Sequence, residues 1–155
     1  YPLRRQRQMC IRDRDDATPP AELLAHWRDG RIKQALIARV LDCRQAHAEL
    51  FRRGAYLPLT VLGKHADKVI AFARLGDGER AVIVAPRLAS TLLGGNPTPL
   101  IPAQNWDDTR LVLPFALSPA NSTGLFPCAA VSSSKELMLS AVLAEFPVNV
   151  LIQQS

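Results

Sequence analysis

The sequence is poor in cysteine, and its three cysteines, Cys10, Cys43 and Cys128, lie far apart in a chain of 155 residues. An odd and sparse set of cysteines argues against a framework of disulfide bonds and fits a reducing compartment. For this reason we expect a cytoplasmic protein. The sequence also lacks any run of about 18 apolar residues, so we predict no membrane-spanning helix and no membrane partner.

Charge is distributed unevenly along the chain. Residues 1–14 carry five arginines and one aspartate, whereas the other residues carry 14 basic and 13 acidic side chains. The body of the chain is therefore almost neutral, and we expect no nucleic-acid partner. Residues 1–16 have no periodicity and few apolar groups, which indicates a disordered tail. Because Met9–Arg14 resembles a translated sequencing adapter, we favour a disordered or artefactual tail over an arginine-rich arm that binds an anion.

No group of side chains has the spacing that catalysis or metal binding requires. The three histidines, His26, His47 and His65, do not form a metal-ligand pattern, and the sequence has no Cys-x-x-Cys motif. It also has neither a nucleophile elbow nor a glycine-rich phosphate loop. Each of the 14 acidic residues has a simple explanation in a turn or on a helix. We therefore predict no catalytic residue, no metal site and no cofactor.

The first part of the chain has helical patterns. Residues 18–20, Thr-Pro-Pro, suit a helix start, because threonine can cap a helix and proline is tolerated in its first turn. We predict that this helix continues to Arg28 and ends at Gly30, which can adopt the left-handed conformation. A second helix is predicted at residues 31–48. Its apolar residues recur at steps of three and four: Ile32, Leu36, Ile37, Val40 and Leu41.

After Gly54 the pattern changes to short strands and turns. Residues 56–62 are predicted to form one strand, which Pro58 places at the edge of a sheet. Residues 68–74 and 80–85 are apolar runs separated by a glycine-containing loop, so we predict a β-hairpin.

The remaining chain has weaker signals. Residues 88–105 read mostly as a loop, and a brief helix is predicted with Ser140 as its cap. Further strands are predicted at residues 109–113 and 148–152, with at most a short strand at 124–126 and a short strand or turn at 135–139. The fold class is therefore α+β, with a helical arm followed by a small, mostly antiparallel β domain.

Six short motifs occur in order between Pro20 and Ile152. They are Asp29–Lys33, Phe51–Tyr56, Val69–Arg74, Ala81–Leu88, Trp106–Pro114 and Leu143–Val148. Together they resemble the C-terminal part of the maltooligosyl trehalose synthases. These are (1→4)-alpha-D-glucan 1-alpha-D-glucosylmutases of the alpha-amylase clan, glycoside hydrolase family 13.

The resemblance implies an intramolecular transfer by a larger parent enzyme. That family turns the reducing-end α-1,4 bond of a maltooligosaccharide into an α,α-1,1 bond, in trehalose biosynthesis. A retaining mechanism on a (β/α)8 barrel is implied, with its three catalytic carboxylates upstream of this chain, so none can be placed on this sequence. Residues 17–54 would be the last helical part of the barrel, and residues 55–155 a C-terminal β domain. The implied partners are the maltooligosaccharide substrate and the missing barrel of the same chain.

A second interpretation is a free-standing carbohydrate-binding or interaction module. Such a module would need an aromatic platform on one open sheet face, and Trp106, Tyr56 and Phe115 are the candidates. For Trp106, and equally for Trp27, packing is the favoured role.

Two expectations follow from the fragment interpretation. The charged residues Asp29, Arg31 and Lys33 match a family motif, and we favour a role in orienting the helix over a sugar contact. The apolar stripe of the helix at 31–48 should stay partly exposed, because the barrel that it would meet is not part of this chain.

Overall fold

A computed structural model describes residues 18–128 and 134–154, and within these ranges helices precede and flank two small sheets. The helices are α1 (Pro20–Ala25), α2 (Arg31–Ala46), α3 (Ala48–Arg53) and α4 (Leu139–Val142). The strands are β1 (Ala55–Pro58), β2 (Thr60–Leu62), β3 (Val69–Leu75), β4 (Glu79–Pro86), β5 (Arg110–Val112), β6 (Ser122–Gly124), β7 (Glu136–Met138) and β8 (Asn149–Gln154). The predicted α+β class is confirmed. The predicted tail at 1–16 lies outside the described residues.

The helical arm turns sharply at Gly30. After α1 comes a 3-10 turn at Trp27–Asp29, and Gly30 then has a φ of 87°, in the left-handed region that glycine adopts without steric cost. The left-handed conformation predicted for Gly30 is confirmed, whereas the α-helix ends at Ala25 and not at the predicted Arg28. The predicted second helix is two helices, because α2 ends at Ala46 and α3 begins after His47. Of the helices in the described ranges, none has the length and apolar character to cross a membrane.

All strand pairs in the described ranges are antiparallel. The larger sheet has the order β1-β3-β4-β8-β6, and the smaller sheet has the order β2-β5-β7. The predicted hairpin is confirmed as β3 and β4, which pair from Val69 opposite Pro86 to Leu75 opposite Arg80. Strand β1 lies at an edge of the larger sheet, as Pro58 predicted.

The prediction of one strand at residues 56–62 is wrong. The segment forms β1 and β2, which belong to different sheets. Leu59 lies between them, donates its backbone N–H to the carbonyl oxygen of Ala71 at 3.1 Å and packs against the core. The chain changes sheets within this segment because of pairings with distant strands, and a local pattern does not encode such pairings.

Smaller differences concern the later elements. The predicted strand at 124–126 is β6, at 122–124, and the predicted loop at 88–105 contains 3-10 turns at Ser90–Leu93 and Ala103–Trp106. Ser140 is not a helix cap, because α4 already begins at Leu139, with Met138 at the cap position and no capping side chain.

The hydrophobic core joins all parts of the fold. One cluster takes residues from both sheets, among them Val82, Leu151 and Leu111. A second cluster joins helix α3 to the larger sheet, where Leu50 packs with Val150. A third cluster joins α1 and α2 to the segments around β8. Since the helices share buried clusters with the β region, the helical arm is packed onto the larger sheet.

Candidate functional site

An open apolar groove of about 650 Å³ lies between α2 and one face of the larger sheet. The helix supplies one wall through its apolar stripe, and strands of the larger sheet supply the other wall. The lining residues are Leu36, Ile37, Val40, Leu41, Cys43, Arg44, Phe51, Tyr56, Phe72, Arg74, Ile83, Val148 and Val150. We refer to this surface as the groove.

The pairing register explains the sheet wall of the groove. Residues directly opposite each other in an antiparallel sheet point to the same face. Phe72 lies opposite Ile83, and Ile83 lies opposite Val150, so these three form one apolar row across β3, β4 and β8. Tyr56 on the edge strand β1 lies opposite Arg74 and extends the same face.

The helices cover this face only in part. On the sheet side, Tyr56 is 58% exposed and Ile70, on the same face of β3, is 49% exposed. On the helix side, Ile37 and Leu41 are 50% and 51% exposed. The prediction that the apolar stripe stays partly exposed is therefore confirmed. Large apolar side chains gathered on one open surface are typical of an interaction site.

Two arginines are the charged side chains that line the groove in the described part of the chain, Arg44 and Arg74. Arg74 donates from Nη2 to the carbonyl oxygen of Phe51 at 2.9 Å. Its Nε is buried and has no hydrogen-bond partner among the described residues. Arg74 was not predicted as a site residue, although strand alternation with Phe72 places it on the apolar face of β3.

Cys43 also lines the groove. Cys43 and Cys128 are free thiols, and burial raises the pKa of both. Because the thiolate is the reactive form, a raised pKa makes these thiols poor nucleophiles at neutral pH. Cys43 therefore contributes to the groove as an apolar group.

Two residues of the charged motif at the start of α2, Asp29 and Arg31, bind each other. Asp29 accepts hydrogen bonds from the backbone N–H of Arg31 at 2.9 Å and from its Nε at 2.7 Å. The backbone hydrogen bond from Arg31 is the main cause that lowers the pKa of Asp29. Arg31 also lies 3.5 Å from Glu22 of α1. These contacts support the favoured role in orienting the helix for Asp29 and Arg31, whereas Lys33 is exposed.

A second surface cluster surrounds Asp107. Lys64 donates from Nζ to its Oδ2 at 2.8 Å, and the Nε2 of His65 lies 3.4 Å from the same oxygen. The hydrogen bond from Lys64 is the main cause that lowers the pKa of Asp107. A carboxylic acid that protonates a sugar oxygen needs a raised pKa. The pKa values of Asp29 and Asp107 are both lowered, which argues against that role for either residue. In the ranges 18–128 and 134–154, no group of three histidine, cysteine or acidic residues could hold a metal ion.

Replacing Lys64 with methionine should raise the pKa of Asp107 towards its ordinary value of 3.8. In the native chain the folded-state pKa lies below the unfolded one. The pair therefore stabilises the fold above that ordinary value, and the stabilisation is lost as the pH falls through the folded pKa. An NMR titration of the Asp107 carboxyl carbon from about pH 5 to about pH 2 measures the shift. Lys33→Met is the matched control, and an unchanged pKa of Asp107 in Lys64→Met would contradict the assignment.

The three candidates for an aromatic platform do not form one open surface. Trp106 is 1% exposed in the core, and Phe115 is half-buried against the same cluster, whereas Tyr56 is exposed in the groove. The expected packing role of Trp106 is confirmed, and its use as an exposed platform is wrong. Trp27 is half-buried and donates from Nε1 to the carbonyl oxygen of Pro97 at 2.8 Å, which also indicates packing.

Among solved structures, the fold is similar to part of a much larger synthase. The enzyme is maltooligosyltrehalose synthase from Arthrobacter ramosus, with a TM-score of 0.53 and 23% sequence identity. A mutant of the same enzyme gives a TM-score of 0.54. The likeness covers 87% of this chain and 16% of the synthase, so the chain spans a small part of that enzyme's length. At this identity the likeness shows a shared fold. No family model and no curated protein matches the sequence.

Proposed function

We propose that this chain is the C-terminal, non-catalytic part of a maltooligosyl trehalose-forming glucosylmutase. The parent enzyme would isomerise the reducing-end α-1,4 bond of a maltooligosaccharide to an α,α-1,1 bond. The observation that carries the proposal is the fold likeness, which takes in 87% of this chain and 16% of the synthase. The six sequence motifs support it, because they occur in order between Pro20 and Ile152.

The open groove is a second observation that supports the proposal. A surface with half-exposed Ile37, Leu41, Tyr56 and Ile70 is unfavourable in water, and a further domain of the same polypeptide would cover it. We assign this role to the barrel of the parent enzyme. Helix α2 would then be the last helix of that barrel, and the β region its C-terminal neighbour.

The chemistry would be supplied by the barrel. A retaining enzyme needs two carboxyl groups about 5 Å apart on either side of the sugar bond. Asp29, Asp107 and Glu136 instead lie beside basic groups at the surface, with Arg31, Lys64 and Arg110 as their respective neighbours. We therefore assign no catalytic, metal or cofactor residue to this chain. The sparse free thiols support a cytoplasmic location for the parent enzyme.

The purified 155-residue chain should not turn over maltopentaose, whereas the parent enzyme should convert it. The reaction consumes the reducing end without hydrolysis. The measurement is therefore the loss of reducing sugar together with the appearance of an α,α-1,1 anomeric signal in the NMR spectrum. The parent gene is obtained by sequencing the DNA upstream of the codon for Thr18. Turnover by the 155-residue chain alone would refute the non-catalytic role, and a parent without a barrel would refute the fragment.

The alternative, a free-standing carbohydrate-binding module, is weakened by the burial of Trp106. Tyr56 remains as an exposed ring in the groove. Affinity electrophoresis in amylose separates the two functions. Retardation of the native chain that is lost in Tyr56→Ala would favour the module.

A further inference from the structure

The charged side chains among the described lining residues of the groove are all positive. Arg44 and Arg74 line it, and among the described lining residues there is no aspartate or glutamate. Arg74 donates from Nη2 to the carbonyl oxygen of Phe51, so part of its guanidinium is bound within the fold. Arg44 is exposed at the groove wall. The described lining of the groove therefore carries positive charge with no acidic side chain to balance it.

The apolar part of the groove has the size for several side chains of one segment. Its volume of about 650 Å³ lies within the range of pockets that enclose a ligand of many atoms. Ile37 and Leu41 are four residues apart and so lie on one side of α2. Tyr56 and Phe72, with ring centroids 5.1 Å apart, form part of the opposite wall. A segment with a continuous apolar face would contact both walls at once.

We infer that the groove binds an amphipathic, acidic segment of the parent polypeptide. Its apolar side chains lie between α2 and the sheet, and its aspartate or glutamate side chains pair with the guanidinium groups of Arg44 and Arg74. Charge complementarity selects this occupant, because a basic segment would place like charges beside Arg44 and Arg74. The inference rests on the proposed function for the origin of the segment, and it adds the chemistry by which the segment is recognised.

The test is an NMR titration of the isotope-labelled 155-residue chain with two synthetic helical peptides. Both peptides have the same leucine face, and beside that face one carries glutamates where the other carries lysines. We expect signals of Ile37, Leu41 and Tyr56 to shift, with the acidic peptide binding about tenfold more tightly, as a charge-assisted hydrogen bond implies. In Arg74→Gln this preference should disappear.

A matched control separates Arg74 from general charge. Arg52 is a surface arginine of α3 whose side chain is 70% exposed and pairs with Glu49. Arg52→Gln removes the same charge away from the groove and should keep the tenfold preference. A preference that survives in Arg74→Gln, or that disappears in Arg52→Gln, would assign the effect to net charge and overturn the inference.

Other outcomes also decide the question. Equal binding of both peptides, or shifts confined to residues outside the groove, would overturn the acidic occupant. A concentration-dependent dimer that buries the groove, detected by light scattering, would replace the segment with a second copy of this chain. Shifts of the same residues by maltopentaose would replace it with a sugar. Failure of the proposed function is seen separately, since a parent without glucosylmutase activity leaves the peptide titration unchanged.

Discussion

Replacing Asn149 with alanine should lower the free energy of unfolding by roughly 3 to 5 kcal/mol, because buried backbone groups lose their partners. Asn149 is 1% exposed at the start of β8. Its Nδ2 donates to the carbonyl oxygens of Phe126 and Val142, each at 3.1 Å. Its Oδ1 accepts from the backbone N–H groups of Phe126 at 3.2 Å and Val150 at 2.9 Å. One side chain thus holds together the loop after β6, the end of α4 and the start of β8.

Urea unfolding followed by tryptophan fluorescence measures this loss, because Trp106 is buried in the native core and becomes solvated on unfolding. Gln45→Ala, on an exposed position of α2, is the control and should change stability by less than about 0.5 kcal/mol. A loss below about 1 kcal/mol for Asn149→Ala would mean that water replaces the amide without penalty.

Asn149→Asp separates the donor from the acceptor part of the side chain. The carboxylate keeps two acceptor oxygens but cannot donate to Phe126 and Val142, and it places a charge in a buried site. The neutral, protonated form can donate one hydrogen bond. The stability of Asn149→Asp should therefore improve as the pH falls through the carboxyl pKa, which burial raises in the folded state. A pH-independent difference from the native chain would contradict this explanation.

Local patterns predicted those parts of the fold that depend on nearby residues. The hairpin of β3 and β4, the edge position that Pro58 imposes and the left-handed turn at Gly30 all follow from residue types and short spacings. The division of residues 56–62 between two sheets does not, since it depends on pairing with β3 on one side and β5 on the other.

Only part of the candidate site could be predicted from the sequence. The exposed stripe of α2, with Ile37 and Leu41, follows from helical periodicity. The opposite wall depends on the register of β1 against β3, which brings Tyr56 beside Arg74. The role of Asn149 could not be predicted from the sequence, because its partners Phe126 and Val142 come together only in the folded chain. In the sequence it stands as an ordinary polar residue before an apolar strand.

Replacing Phe146 with alanine should destabilise the chain by roughly 3 to 5 kcal/mol, as for other large buried aromatic residues. Phe146 and Phe126 are both 1% exposed, and their rings stack with centroids 3.7 Å apart and an interplanar angle of 6°. Leu23 of α1 and Ala35 of α2 belong to the same cluster, so the stack attaches both helices to the β region. The guanidinium of Arg39 lies 5.1 Å from the Phe126 ring centroid, in a cation–π contact with the stack.

The expected effect is local as well as global, and hydrogen exchange distinguishes the two. In Phe146→Ala, amides of α1 and α2 should lose protection before those of β3 and β4, because both helices contribute to the buried cluster that contains Phe146. Phe115→Ala is the matched control, since Phe115 is only half-buried at the margin of another cluster and should cost less. Equal losses for the two variants, or uniform loss of protection across the chain, would show that the stack is not what attaches the helices. Helix α2 forms one wall of the groove, so its attachment through Phe146 also determines whether the groove keeps its shape.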